Sequence, residues 1–235
     1  MWVATILLGS QDVVDLTNLL GLHFWRGSDF HIYQFLTYMF MHDCGSPASQ
    51  GVLGAMATSI YHIFFNMFSL WMFGMLLERI MGAKRYLIFY IVCGLGAGLV
   101  QEIVWDFSWQ SILAGIYNVE TQVINNAITT GEITTGLLDQ FFNNLITVGA
   151  SGAVFGILLA FAMLFPNMPL YIMFIPIPVK AKWAVLGYGV LELFFGITGT
   201  ADHVAHFAHL GGMLFALIIL LYWKKKGLFR FNGNY

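Results

Sequence analysis

The chain alternates between long apolar runs and short polar interruptions, and the runs have the length of membrane helices. A spanning helix needs about 20 mostly apolar residues. Five runs meet or approach that length: 59–77, closed by Glu78-Arg79; 86–105, after Lys84-Arg85; 145–165, stopped by Pro166; 183–201, after Lys180 and Lys182; and 203–223, closed by Lys224-Lys225-Lys226. Met1–Gly9 is also apolar. At about 1.5 Å per residue it reaches only about 14 Å, half the hydrocarbon core. The pattern therefore predicts an all-α membrane protein, a six-transmembrane-helix bundle in one domain over 1–235, with its first helix truncated in this chain. Between Leu170 and Pro178 a short apolar stretch holds Pro176 and Pro178 and reads as an interfacial hairpin. The stretches 10–58 and 106–144 read as long outer connections. The second is punctuated by Asn125-Asn126, Thr129-Thr130-Gly131 and Thr134-Thr135-Gly136, all turn signals.

Composition supports the membrane reading. Hydrophobic residues make up 59% and charged residues only 9%, against about 25% charged in a soluble domain. Too few charges remain to cover a water-facing surface, so the expected surroundings are a lipid bilayer. The net charge of −2 says nothing about nucleic acid, but the chain has no basic stripe, and no nucleic-acid partner is expected. Cys44 and Cys93 fall in an outer loop and a helix and make no disulfide framework. Met1–Gly9 lacks the basic start of a cleavable signal peptide. Nine of the ten Lys and Arg residues lie near 79–85, 180–182 and 224–230, with Arg26 the exception. Basic residues favour the cytoplasmic side. The helices starting near 59, 145 and 203 therefore all begin on the outer side.

A polar side chain inside a membrane helix is costly and marks a functional hypothesis. His62 and Asn66 stand i,i+4 on one helix face. Ser151 lies in Gly149-Ala150-Ser151-Gly152, and His209 in Ala208-His209-Leu210-Gly211-Gly212. Each has a plain structural reading: an interhelical hydrogen bond, a small-residue packing patch, a polar link. Together they say more, because all three lie near outer helix ends whose depths differ by only about 5 Å. Serine is a weak nucleophile until a base takes its proton, and a neutral imidazole is the usual base near pH 7. Ser151 and His209 are thus candidate catalytic residues. His62, Asn66 and the backbone N–H of Gly152 are candidate oxyanion donors, since a helix start leaves its first N–H groups unpaired. Gly149 and Gly212 allow close approach, and Phe155, one turn after Ser151, can orient the imidazole plane.

The sequence places no carboxylate to complete a triad: Asp202 stands seven residues before His209, near the surface. The expectation is a dyad. Glu192, mid-helix, is given no catalytic role, and His206 is kept as a candidate for the wall of the site. The histidines are too scattered for a metal site, no His-Glu-x-x-His is present, and no cofactor is expected.

These motifs resemble the rhomboid family, whose pattern pairs His-x-x-x-Asn, Gly-x-Ser-Gly and Ala-His-x-x-Gly helices in that order. Here they read His62-x-x-x-Asn66, Gly149-x-Ser151-Gly152 and Ala208-His209-x-x-Gly212, supported by Glu78-Arg79 and Thr37-x-x-x-x-His42. The resemblance covers nearly the whole chain. It implies six helices around a site open to the outer side of a membrane, bacterial inner membrane by type, and cofactor-free cleavage of other proteins' transmembrane segments. It also implies that Ser151 and His209 form the dyad and that His62 and Asn66 stabilise the oxyanion. The chain departs from the family at Tyr33-Gln34, which stand where the family has Trp-Arg. It departs again at Phe155 in place of Tyr, at Ala216 in place of a second glycine, and in roughly fifteen extra residues between His42 and His62. Two other classes compete: an inactive rhomboid-like protein that binds membrane clients, and a transporter. The first would lack the Ser or the His. The second would show inverted repeats or broken helices. The oligomeric state is left open.

Overall fold

A computed structural model describes residues 16–42, 60–171, 177–199 and 205–228. Four helices are long and apolar enough to cross a membrane: α3 (Ile60–Met81), α4 (Ala83–Tyr117), α8 (Ala181–Thr198) and α9 (His206–Lys225). A shorter helix, α7 (Ser151–Leu164), lies among them. These account for five of the six expected spans. The sixth, at Met1–Gly9, falls outside the described residues, as does Cys44. The remaining elements are α1 (Leu16–Leu20), β1 (Leu22–His23), α2 (Gln34–Thr37), α5 (Thr121–Thr130), α6 (Thr135–Asn143), β2 (Ile146–Thr147), β3 (Pro169–Tyr171) and β4 (Pro178–Lys180).

The helix bounds differ from the hydrophobic runs in ways that bear on the site. The run 145–165 predicts a helix from Leu145, but α7 starts at Ser151. The residues before it are extended, and β2 pairs antiparallel with β1, Leu22 opposite Thr147. With 14 residues, α7 rises only about 21 Å, less than the roughly 30 Å hydrocarbon core. It tolerates this because it is central: α4, α8 and α9 all pack on it, and Ile157, Ala160 and Leu164 are fully buried. In contrast, α4 runs for 35 residues, about 52 Å, well past the bilayer core. What reads as a linker over 106–144 is helical: the end of α4, then α5 and α6. Two of its three turn signals mark helix ends, whereas Asn125-Asn126 lies inside α5, where no turn forms. Gly131 caps α5 in the left-handed region (φ 80°), and Thr134 caps α6 by accepting from the Leu137 N–H. The 170–178 hairpin is present as β3 paired with β4, Leu170 opposite Val179.

The segment 21–42 lies against α4 and against the strand that precedes α7, and is held by polar contacts. Trp25 N–H donates to Glu102 at 2.8 Å. The Trp25 indole and the Arg26 guanidinium both donate to Asp106, at 3.0 and 2.6 Å. Arg26, the exception among the basic residues, thus has its counter-charge on the protein. Ser28 and Asn143 donate to Asp139. Gln34 accepts from the His31 N–H at 2.9 Å and donates to the Asp29 carbonyl at 3.0 Å, so it knits this segment to itself. Tyr38 then reaches inward. Its hydroxyl donates to the Gly94 carbonyl on α4, and its own carbonyl accepts from Gly149 N–H at 2.9 Å. That last bond fixes the strand leading into Ser151.

Candidate active site

Small residues decide where α7 and α9 cross. A Cβ on Gly212 would lie 1.8 Å from the Gly152 carbonyl oxygen. One on Gly152 would lie 2.4 Å from Ala97 Cβ and 3.2 Å from the Ala208 carbonyl. Only glycine fits either place, and the two backbones touch. One turn before that contact on α9 stands His209; one residue before it on α7 stands Ser151. Their side chains meet: Ser151 Oγ is 2.8 Å from His209 Nε2, a good hydrogen-bond length for an O–H donor and a ring nitrogen. Ser151 is half-buried and His209 buried.

The turn into Ser151 is built for exposure of the hydroxyl. Gly149 has φ 122°, a conformation that L side chains rarely adopt. The intrahelical ladder opens with Val154 N–H to the Ala150 carbonyl at 3.0 Å. The N–H groups of Ser151, Gly152 and Ala153 precede it and have no acceptor within the helix. The positive end of α7 thus lies at the nucleophile.

On the other side stands α3. The His62 ring faces the space over Gly149: His62 Nε2 and Ser151 Oγ lie 3.7 and 3.6 Å from the point a Gly149 Cβ would occupy. His42 packs edge-on to His62, ring centroids 5.7 Å apart. Burial, followed by the neighbouring His62 charge, pushes His42 down to about 4, so it is neutral near pH 7. Asn66 is buried, but its amide nitrogen donates to the His62 carbonyl of its own helix at 3.0 Å. It is on the expected face, and its amide is turned along the helix.

Two groups flank His209. The Phe155 ring lies parallel to the imidazole, centroids 4.1 Å apart and planes 7° apart. Glu192 of α8 presents Oε2 to His209 Nδ1 at 3.0 Å and to His206 Nδ1 at 2.6 Å. This corrects one expectation and adds to another. A carboxylate does stand against His209, so the arrangement is not a bare dyad, and His206 is a partner of that carboxylate. The polar cost of Glu192 and His206 was legible in the sequence. Their pairing was not, because Glu192 lies on another helix; Asp202 is outside the described residues. The histidines are also less scattered than their spacing implies: ligand-type atoms of Glu192, His206 and His209 lie within 4.8 Å of one another. Both Nδ1 atoms are already engaged with the carboxylate, so hydrogen bonding accounts for the cluster.

A hydroxyl on a ring nitrogen, a carboxylate on the other ring nitrogen, and a helix start aimed at the hydroxyl are the parts of an acyl-transfer site. The family model described as Rhomboid domain matches residues 53–226. No curated protein matches the chain.

Proposed function

The chain belongs to the rhomboid family, and from that premise we propose that it is an intramembrane serine endopeptidase that hydrolyses peptide bonds in or near the transmembrane segments of other membrane proteins. The observation that carries the proposal is the 2.8 Å contact between Ser151 Oγ and His209 Nε2. In this reading His209 takes the Ser151 proton as Oγ attacks the scissile carbonyl. The carbonyl oxygen gains the charge and is held by N–H groups at the start of α7, Gly152 among them, and by His62, with Asn66 on the same face. His209 then passes its proton to the leaving amine, and water releases the acyl group by the reverse sequence. No step needs a metal or cofactor.

The four long apolar helices make the chain an integral membrane protein. The basic residues orient the site toward the outer side of what we take to be a bacterial inner membrane. Purified protein reconstituted with a generic single-span substrate tests the proposal. Wild type is expected to cleave it and to label with a fluorophosphonate, and Ser151→Ala to do neither. A wild-type protein that never labels would instead support a client-binding relative without catalysis.

A further inference from the structure

The described part of α8 carries a single acidic residue, in a stretch whose other side chains face outward. Val190, Leu191, Leu193 and Phe194 are exposed, whereas Glu192 between them is 5% exposed. A carboxylate at this depth is expensive unless it is well partnered. Its partners are two imidazoles from α9 on one oxygen, at 2.6 and 3.0 Å. We propose that Glu192 is the positioning carboxylate of His209 and that His206 is the clamp that holds it there. The inference rests on the peptidase reading above and deepens it.

Proton bookkeeping gives the reason. A carboxylate only accepts, so His209 donates Nδ1–H to it and keeps a lone pair on Nε2, facing Ser151. The opposite tautomer would put a proton on Nε2 and disable the base. When Nε2 takes the Ser151 proton the ring becomes an imidazolium with both nitrogens protonated, and Glu192 supplies its counter-charge. That counter-charge is needed here. His209 sits in the first turn of α9, where the helix dipole opposes a cation, and beside the start of α7. Phe155 does a different task. Its parallel ring restrains the imidazole plane, but stacking leaves rotation within the plane and the tautomer unset. The Nδ1 bond sets both. Around this cluster Tyr188, one turn before Glu192 on α8, sets its ring against Phe155, and Phe195 packs on His206, ring centroids 5.7 Å apart. Neither carries charge near pH 7.

Glu192→Gln preserves shape and removes the charge. It is expected to keep the wild-type KM and thermal midpoint. Its kcat should fall by about 10²-fold or more, by analogy with serine peptidases whose orienting carboxylate is made an amide. The acid limb of its kcat/KM profile should move to lower pH, a change that a packing role would not produce. His206→Phe, which leaves the carboxylate held by one imidazole, should give a smaller fall in kcat at unchanged KM. Wild-type kcat and an unmoved acid limb in Glu192→Gln would overturn the positioning role; wild-type kcat in His206→Phe would overturn the clamp. If Glu192→Gln does not fold, 15N spectra of histidine-labelled wild type decide the matter. Above the acid limb His209 should be protonated at Nδ1 and bare at Nε2, and the reverse overturns the proposal. Ser151→Ala and His209→Ala run in parallel. Cleavage that persists in them defeats the peptidase reading itself, whereas their loss alongside a fully active Glu192→Gln defeats only this inference.

Discussion

Gly212→Ala is the sharpest test of how helix packing builds the site. By propensity alone the change should stabilise α9, since glycine in a helix interior costs about 1 kcal/mol relative to alanine. The structure reverses the sign. The added Cβ would sit 1.8 Å from the Gly152 carbonyl oxygen, whereas carbon and oxygen approach comfortably only to about 3.3 Å. The obstacle is backbone, so no side-chain rotation relieves it, and α7 and α9 must part by about 1.5 Å. Overpacking of this kind costs about 1–3 kcal/mol. The effect on chemistry is larger. Ser151 adjoins Gly152 and His209 is one turn from Gly212, so the 2.8 Å contact between their side chains would open beyond about 4 Å and cease to be a hydrogen bond. A misplacement near 1 Å costs about 10²-fold in rate, and losing the base a further factor of about 10²–10⁴. The expected outcome is a folded protein with a lower thermal midpoint, cleavage reduced at least about 10²-fold, and fluorophosphonate labelling slowed in parallel. Gly187→Ala is the control: nothing lies within 4 Å of its added Cβ, so activity should be unchanged. Wild-type cleavage by Gly212→Ala would refute the claim that contact between these two backbones brings nucleophile and base together.

His209→Ala should remove nearly all turnover, whereas Asn66→Ala should lower kcat by about 10²-fold and leave measurable cleavage; an unchanged kcat in Asn66→Ala would make that residue a packing element. His42 is held near 4 in the folded protein against an ordinary 6.5, so its neutral form is the one the fold accommodates. Stability tied to it is full above about pH 6.5 and is lost as pH falls toward 4, by at most about 3 kcal/mol. The thermal midpoint of wild type should therefore drop more between pH 7 and 4.5 than that of His42→Phe, and equal drops would contradict the assignment. Finally, dialysis against a strong chelator should leave cleavage unchanged. Activity lost and then restored by a divalent cation would assign the Glu192, His206 and His209 cluster to metal binding.

Much of this was written in local sequence. Runs of apolar residues near 20 long must sit in lipid as helices, because no other structure there satisfies its own backbone, and so α3, α4, α8 and α9 were legible directly. The three polar motifs announced themselves because lipid makes each of them costly. Gly149 and Gly212 announced places of close approach. What local sequence did not determine were relations between segments. Whether 145–150 continued α7 depended on Leu22-His23 pairing with Ile146-Thr147, more than a hundred residues away, and that pairing sets where the helix begins. Glu192 reads from sequence as protonated or bonded to an unnamed neighbour, because its two partners are on another helix, and hydropathy records that a carboxylate is expensive without recording what compensates it. Burial and periodicity are properties of one segment and can be read from one. Hydrogen-bond partnership between helices depends on their rotation and crossing, which only the packed bundle fixes.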